Sequence, residues 1–373
     1  MKFNKWTLGL AAVGVVSLAT AARADEKVSQ LNTALSNTTL SGYVDVGAQY
    51  VNGGGAAYGA PEAAAPNAFS LNVVDLALDK PLDATPFSAG YHVELWAGAG
   101  GVAPGLTTGS LIRQAYLALG TTIGGQEIDW KIGVWDTIIG YEGLTSSANP
   151  DYTHSYGFAV EPTTHTGVQG TYKVNDDITV QAGVADEEAG NSAAINGATY
   201  NGFGLTSPEL LALVSLTAPD SFGPLKGATL AAGGTYGTST SAPKNVYVGA
   251  TIPTPLAALK FGAAYDYATG GVGAGHANVF GLYATYAATD KLTFNARAEL
   301  FKQTALYLDP AGPFGGSANG EEFTATAQYA LWANVLSRVE ARWDHAENAP
   351  VFAQGGEAVR DAFFLGAQLI YTF

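Results

Sequence analysis

The chain has 373 residues, a formal net charge of −15 and no cysteine. The acidic balance argues against a nucleic-acid partner, because phosphate binding needs clustered Lys and Arg. Without cysteine there is no disulfide framework and no thiolate metal site. The five histidines are scattered and lack metal-ligand spacing. We therefore expect no nucleic acid, no metal and no cofactor.

Residues 1–24 have the pattern of a secretory signal peptide. Two lysines precede an apolar run over 8–22, and Ala22-Arg23-Ala24 places small residues at the two positions that a signal peptidase reads. The run is shorter than the ~20 residues of a membrane-spanning helix. We predict an exported protein that is cleaved after Ala24.

The segment 25–38 differs in pattern from the rest of the mature chain. Val28, Leu31 and Leu35 have helical spacing, but the segment is too short for a stable isolated helix. We interpret it as a periplasmic lead-in to a barrel domain at 39–373, with a plug that folds into the barrel as the alternative.

From residue 40 onward the chain alternates apolar and polar residues in segments of about ten. In 335–346, for example, Val339, Ala341 and Trp343 share one face, and Arg338 and Glu340 lie on the other. An apolar face outside and a charged face inside, with aromatic residues near the segment ends, are typical of a transmembrane β-barrel. We predict an all-β, antiparallel up-and-down barrel of about sixteen strands in the bacterial outer membrane. The predicted strands are 40–51, 69–80, 88–98, 109–120, 127–135, 164–174, 177–186, 207–219, 226–237, 244–254, 257–269, 277–288, 291–303, 321–332, 335–346 and 358–373.

The connections between these strands alternate in length. Short turns such as 174–177 and 288–291 alternate with long segments rich in Gly, Ala, Asn and Pro, such as 52–68 and 187–206. Short periplasmic turns and long extracellular loops are the usual asymmetry of outer-membrane barrels. The even strand number then places both termini on the periplasmic side.

The third outer loop, 136–163, is the longest connection and the candidate functional segment. It carries acidic residues, and a barrel of about sixteen strands needs such a segment to narrow its wide channel. Opposite the loop we expect a basic wall on the polar strand faces, with a transverse field between the two. Lumenal ion pairs that only satisfy one another are the alternative. The candidate constriction acids are Asp136, Glu142 and Asp151, and the candidate wall residues are Arg113, Lys131, Arg297, Arg338 and Arg342. Arg113 fits the pattern least well, because Leu117 and Leu119 share its parity.

The last strand shows the sharpest alternation. Counting back from the end, Phe373, Tyr371 and Leu369 occupy one face, and smaller or more polar residues occupy the other. A terminal Phe that closes such a strand resembles the signal that the barrel-assembly machinery recognises. We expect that machinery, together with outer-membrane lipid and lipopolysaccharide, to be partners of the chain.

Around the third loop the sequence resembles the β-barrel porin-2 (OmpL-like) family. The resemblance rests on Gly140-Tyr141-Glu142, Asn149, Tyr152-Thr-His154-Ser155-Tyr156, His165-Thr166-Gly167-Val168 and Tyr172. It implies a porin: a water-filled channel for passive diffusion of small hydrophilic solutes, with a homotrimer by analogy with general porins.

Two other classes use the same architecture. A non-conducting barrel that anchors the envelope is one, and an outer-membrane hydrolase is the other. A hydrolase needs a coupled His at the barrel rim, and the only neighbouring pairs are His154-Ser155 and Asp344-His345. Neighbours on a strand point to opposite faces, so we expect no enzymatic activity.

Overall fold

The computed structural model describes residues 37–52, 67–98, 112–186, 208–239, 242–270, 275–304, 318–348, 350, 352–354 and 357–373. The predicted signal peptide and most of the predicted lead-in lie outside these residues. Within the described part of the chain, no helix is long and apolar enough to cross a membrane.

Sixteen antiparallel strands form one closed barrel, as the alternation predicted. The barrel strands are β1 (Thr39–Asn52), β2 (Phe69–Lys80), β3 (Ala89–Ala97), β4 (Ile112–Ile123), β5 (Gln126–Asp136), β6 (Thr164–Lys173), β7 (Ile178–Asp186), β8 (Pro208–Thr217), β9 (Thr229–Gly237), β10 (Lys244–Pro253), β11 (Leu259–Thr269), β12 (His276–Ala287), β13 (Leu292–Thr304), β14 (Ala318–Trp332), β15 (Val335–Ala346) and β18 (Asp361–Thr372). Each strand pairs with its neighbours in the barrel sequence, and β18 returns to pair with β1.

The last predicted strand, 358–373, is shorter in the structure. Residues Glu357–Val359 form β17, which pairs with β16 (Phe352–Gln354) in a two-stranded hairpin outside the barrel sheet. The barrel strand begins only at Asp361. Among the described residues, a short helix, α1 (Tyr156–Val160), and two 3-10 turns, Ser146–Ala148 and Asp220–Leu225, complete the elements.

Period-two alternation explains the two faces of the wall. In β18, Phe363, Leu365 and Tyr371 are about half exposed on the outside, whereas Phe364 and Ile370 are buried inside. Exposed apolar side chains in a continuous band suit contact with lipid rather than water. Closure leaves no unpaired strand edge, which is the condition for strands to cross a bilayer. At the seam, the backbone N–H groups of Gly42 and Phe373 donate to each other's carbonyl oxygens at 3.1 and 3.0 Å.

The turn between β4 and β5 is tighter than predicted. Both strands run further than expected and leave only Gly124 and Gly125, at φ 61° and 83°, to reverse the chain. Two consecutive residues with positive φ are the requirement of the tightest hairpin turns, and glycine meets it without strain.

A β-bulge in β4 resolves the parity of Arg113. The register with β3 shifts between Glu94 and Leu95, so that Ile112 pairs with Leu95, Gln114 pairs with Glu94, and Arg113 is the extra residue. A bulge inserts one residue and re-aims the side chains beside it. Arg113 is therefore buried although it shares the parity of Leu117, which is exposed on the outside.

Candidate functional site

The connection between β5 and β6, residues 137–163, crosses the inside of the barrel. Its backbone carbonyl oxygens accept hydrogen bonds from three distant strands. That of Val160 accepts from Asn245 Nδ2 on β10 at 2.6 Å, and that of Pro150 accepts from Asn295 Nδ2 on β13 at 2.7 Å. A third bond joins Ser146 O to Arg338 Nη1 on β15 at 2.8 Å. The segment is thus fixed against the wall opposite to the strands that it joins. We call residues 137–163 the inner loop.

The first group of contacts comes from three buried arginines. Arg297 Nη1 donates to Glu142 Oε1 at 2.9 Å and to Thr153 O at 2.7 Å. Arg342 Nη1 donates to His154 O at 2.7 Å, and Arg338 Nη2 donates to Asn149 O. Each arginine is 2% exposed. The three guanidinium groups bind carbonyl oxygens that the irregular parts of the loop would otherwise leave unpaired.

Wall carboxylates complete this contact from the acceptor side. Glu340 on β15 accepts from the backbone N–H groups of Tyr152 and Thr153, the latter at 3.0 Å. Glu299 on β13 accepts from the N–H groups of Tyr156 at 2.7 Å and Gly157 at 3.1 Å. Side-chain donors and acceptors of β13 and β15 therefore bind both the carbonyl and the N–H groups of the loop backbone. We call β13, β15 and these side chains the arginine side of the loop contact.

The second group of contacts is uncharged. The Tyr141 ring stacks on Tyr283 of β12, with centroids 4.0 Å apart and planes at 22°. It lies directly over Gly262 of β11, where an added Cβ would overlap the Tyr141 hydroxyl. Ile139 packs beside it in a cluster with Leu213. We call β10 to β12 and these rings the glycine side of the loop contact.

A second tyrosine fits the wall in the same way. The Tyr152 side chain lies over Gly47 of β1 and Gly366 of β18, and Asn72 Nδ2 donates to its hydroxyl at 3.2 Å. Phe364 packs against its edge, 5.7 Å between centroids. Glycines on inward faces thus leave room for aromatic side chains of the loop.

The loop carboxyls occupy different electrostatic environments. Burial would raise the pKa of Glu142, but the Arg297 guanidinium and the His154 ring, 3.3 Å away, lower it to about 2. Burial raises the pKa of Asp151 to about 7, because the Arg297 guanidinium, 3.7 Å away, offsets the loss of hydration only in part. Burial and the neighbouring Asp266 raise the pKa of Glu161 well above its usual range. The inner loop therefore holds both a firmly ionised and a proton-carrying carboxyl.

The predicted wall and constriction residues separate into two clusters, with Lys131 apart from both. Arg297, Arg338 and Arg342 come together with Glu142 and Asp151 where the inner loop meets β13 and β15. Arg113 lies elsewhere, where it binds Glu94 and Asp136 and stands 4.2 Å over the Trp96 ring. Lys131 is half-buried, with Nζ 4.8 Å from the Tyr116 ring centroid.

Sequence reasoning placed the wall carboxylates on polar strand faces without assigning them to the site, and it missed the glycines. Glu299 and Glu340 stand two residues from predicted arginines on the same strand face, so the parity that identified the arginines also carried this signal. The glycines carried no such signal, because the tyrosines that cover them come from a distant segment.

Each of the five histidines contacts a carboxylate or a hydroxyl group of another side chain. His165 Nδ1 lies 2.9 Å from Glu209 Oε2, and His345 Nδ1 lies 2.8 Å from Asp361 Oδ1. His345 points away from the interior, whereas its neighbour Asp344 is buried inside. Among the described residues, no three His, Cys, Asp or Glu side chains are placed to hold a metal ion.

A closed barrel of sixteen strands with an inner loop after β5 defines the porin class of outer-membrane proteins. The model of the family described as "Putative beta-barrel porin-2, OmpL-like" matches residues 37–373, so the chain belongs to this family. Family and fold together place the protein in the outer membrane. No curated protein sequence matches the chain.

Solved structures of outer-membrane channels share the fold at low sequence identity. The outer-membrane channel DcaP of Acinetobacter baumannii is 14% identical with a TM-score of 0.62, over 90% of this chain and 97% of that one. OprB of Pseudomonas putida is 12% identical with a TM-score of 0.60, over 93% and 97%. An anion-selective porin from Comamonas acidovorans is 15% identical with a TM-score of 0.59, over 90% and 99%.

Proposed function

We propose that the protein is a non-enzymatic porin, exported with cleavage after Ala24, in which the inner loop narrows a water-filled passage for small hydrophilic solutes. The observation that carries this proposal is the position of the loop. It crosses the interior and is bound to separate parts of the wall, by Arg297 and Arg338 on one and by Asn245 on another. A segment held there reduces the open cross-section that sixteen strands enclose.

The buried arginines fix the geometry of this narrowing. Each guanidinium is shielded from solvent by loop carbonyls. Arg297 and Arg342 also pair with carboxylates, and Arg338 binds the amide oxygens of Gln328 and Gln368. The transverse field expected from the sequence would then come from partly exposed groups, of which Lys131 is the basic candidate. We propose that Arg297, Arg338 and Arg342 position the loop and that Lys131 acts on permeating ions directly.

Two assembly properties belong to the same proposal. OmpT of Vibrio cholerae, 13% identical with a TM-score of 0.57 over 90% of this chain and 99% of that one, has been solved in a trimer form. We propose a homotrimer by that analogy. We also propose that Phe373, Tyr371 and Leu369 form the recognition signal for the barrel-assembly machinery, in a membrane of lipid and lipopolysaccharide.

Single-channel recording in a planar bilayer tests the function. The folded wild-type protein should give steady ohmic steps in KCl. A variant in which a short Gly-Ser linker replaces 143–158 should give larger steps, because it lacks the segment that crosses the interior. Heat-modifiable migration on gels provides the folding control for both proteins. Silence of folded wild type would favour an anchoring barrel, and steps of equal size would contradict the narrowing by the loop.

A further inference from the structure

A cavity of about 590 Å³ lies between the inner loop and the wall formed by β9 to β14. Its strand residues, among them Thr251, Thr285 and Thr293, lie near the ends that the short turns connect. From the loop, Asn149 and Pro150 cover the cavity on its other side. The volume falls in the range of small-molecule sites in proteins.

The cavity is lined by uncharged groups. Hydroxyl and amide side chains alternate with Gly and Ala, and among the described residues that line it there is no Asp, Glu, Lys, Arg or His. This composition contrasts with the rest of the inward surface, which carries many charges. A charged solute would therefore give up hydration here without meeting an opposite charge, whereas a neutral hydroxyl compound would exchange water for protein hydrogen bonds.

Nearby charges are turned away from the cavity. Arg338 donates its Nε to Gln328 Oε1 at 2.9 Å, so the amide of Gln328 separates the guanidinium from the cavity that it lines. Glu142 points to Arg297 instead. These two contacts thus hold both charges outside the uncharged lining of the cavity.

Tyrosines add flat apolar surfaces to this polar lining. Tyr141 and Tyr247 both line the cavity. Their hydroxyl ends lie over Gly262 and Gly249, where no side chain intervenes. Such rings combine an apolar face with a polar tip, which matches a compound that has C–H faces and hydroxyl edges.

We propose that this cavity is a binding site for neutral polyhydroxylated solutes of about the size of one or two sugar rings. The proposal rests on the proposed porin function and names the solute class that the passage favours. It locates the site on the side of the short turns, beneath the inner loop.

Equilibrium binding tests this site without any need for conduction. Saturation-transfer NMR on the folded full-length protein in detergent micelles would use glucose as the neutral probe and gluconate as a charged probe of similar size. We expect transfer to glucose to exceed transfer to gluconate at least threefold. Equal transfer to both probes would overturn the proposal, and this comparison requires no variant.

Two variants locate the site. Thr293→Asp and Thr251→Asp each introduce a charge into the lining, from β13 and β10, and should reduce glucose transfer by more than half. Asn175→Asp adds the same charge on an exposed turn and should leave transfer unchanged. Glucose transfer that is retained in both lining variants would contradict the site. Planar-bilayer silence combined with normal glucose transfer would instead reject the porin function and leave the binding site in place.

Discussion

Two parts of the barrel wall hold the inner loop, one by charged contacts and the other by uncharged packing. On the arginine side, buried guanidinium and carboxylate groups of β13 and β15 bind the loop backbone. On the glycine side, Tyr141 stacks on Tyr283 over a wall position that has no side chain. A buried charged contact becomes destabilising when one partner is removed. The stability of a contact made by packing depends instead on how well the volumes of the two groups fit. The two sides should therefore fail in different ways.

Loss of one buried arginine should have the largest effect. Arg297→Ala leaves Glu142, Glu299 and Glu322 close together without the cation between them. Removing one partner of a buried charge pair costs about 3–5 kcal/mol. We expect a loss of that order in urea unfolding monitored by heat-modifiable migration, together with noisy conductance.

The matched control is Lys173→Ala. Lys173 pairs with Asp176 on an exposed turn, and exposed pairs contribute less than about 1 kcal/mol. A loss for Arg297→Ala no larger than that of this control would show that the arginine side does not hold the loop.

The next effect is the pH dependence that Asp151 gives to the arginine side. Burial raises the pKa of Asp151 to about 7, against an ordinary value of about 3.9. A raised pKa means that the contribution of this carboxyl to stability is complete below about pH 4, declines as the pH rises, and is lost above about pH 7. We expect the free energy of unfolding to fall over that window by at most about 4 kcal/mol, at no more than about 1.4 kcal/mol per pH unit.

Asp151→Asn should remove most of this slope, because an amide does not ionise. Glu142→Gln is the control, since the Glu142 pKa of about 2 places its own dependence below about pH 4.3. Urea midpoints measured from about pH 4 to about pH 8 decide the point. An unchanged slope in Asp151→Asn would assign the pH dependence to another group.

A smaller effect is expected on the glycine side. Gly262→Val should displace the Tyr141 ring, at a cost of about 1–3 kcal/mol for overpacking. Tyr141→Ala in the same chain should relieve the clash and recover part of that loss, which a double-mutant cycle measures. Gly143→Ala is the control, because no atom lies within 4 Å of an added Cβ there. Additive effects of the two substitutions would mean that ring and glycine do not act as a pair.

The contrast between the two sides explains what the sequence could predict. Alternation with period two located the sixteen strands and the inward arginines, because each strand face is read locally along the chain. The orientation of Arg113 was ambiguous, because a β-bulge shifts the alternation of the strand faces and no residue pattern in the sequence indicates it. The glycine side could not be predicted, because the meeting of Tyr141 with Gly262 depends on the path of a loop across the barrel.

The predicted wall residues Arg338 and Lys131 differ in exposure, and this difference leads to the smallest expected effect. Arg338 is 2% exposed and bound to loop carbonyls, whereas Lys131 is half-buried beside Tyr116. A charge acts on a permeating ion only if the ion can approach it, and in water a unit charge at about 4 Å contributes about 1 kcal/mol. Lys131→Gln should therefore shift the reversal potential in a KCl gradient toward cation selectivity, by less than about fivefold in the permeability ratio.

Arg338→Gln provides the comparison for this last measurement. We expect it to change the size and noise of the conductance steps, because it weakens the hold on the loop, with less change in selectivity per charge removed than Lys131→Gln. If the two variants shift selectivity equally, the guanidinium of Arg338 faces the permeating ions, and the distinction between positioning arginines and a pore-facing lysine is wrong.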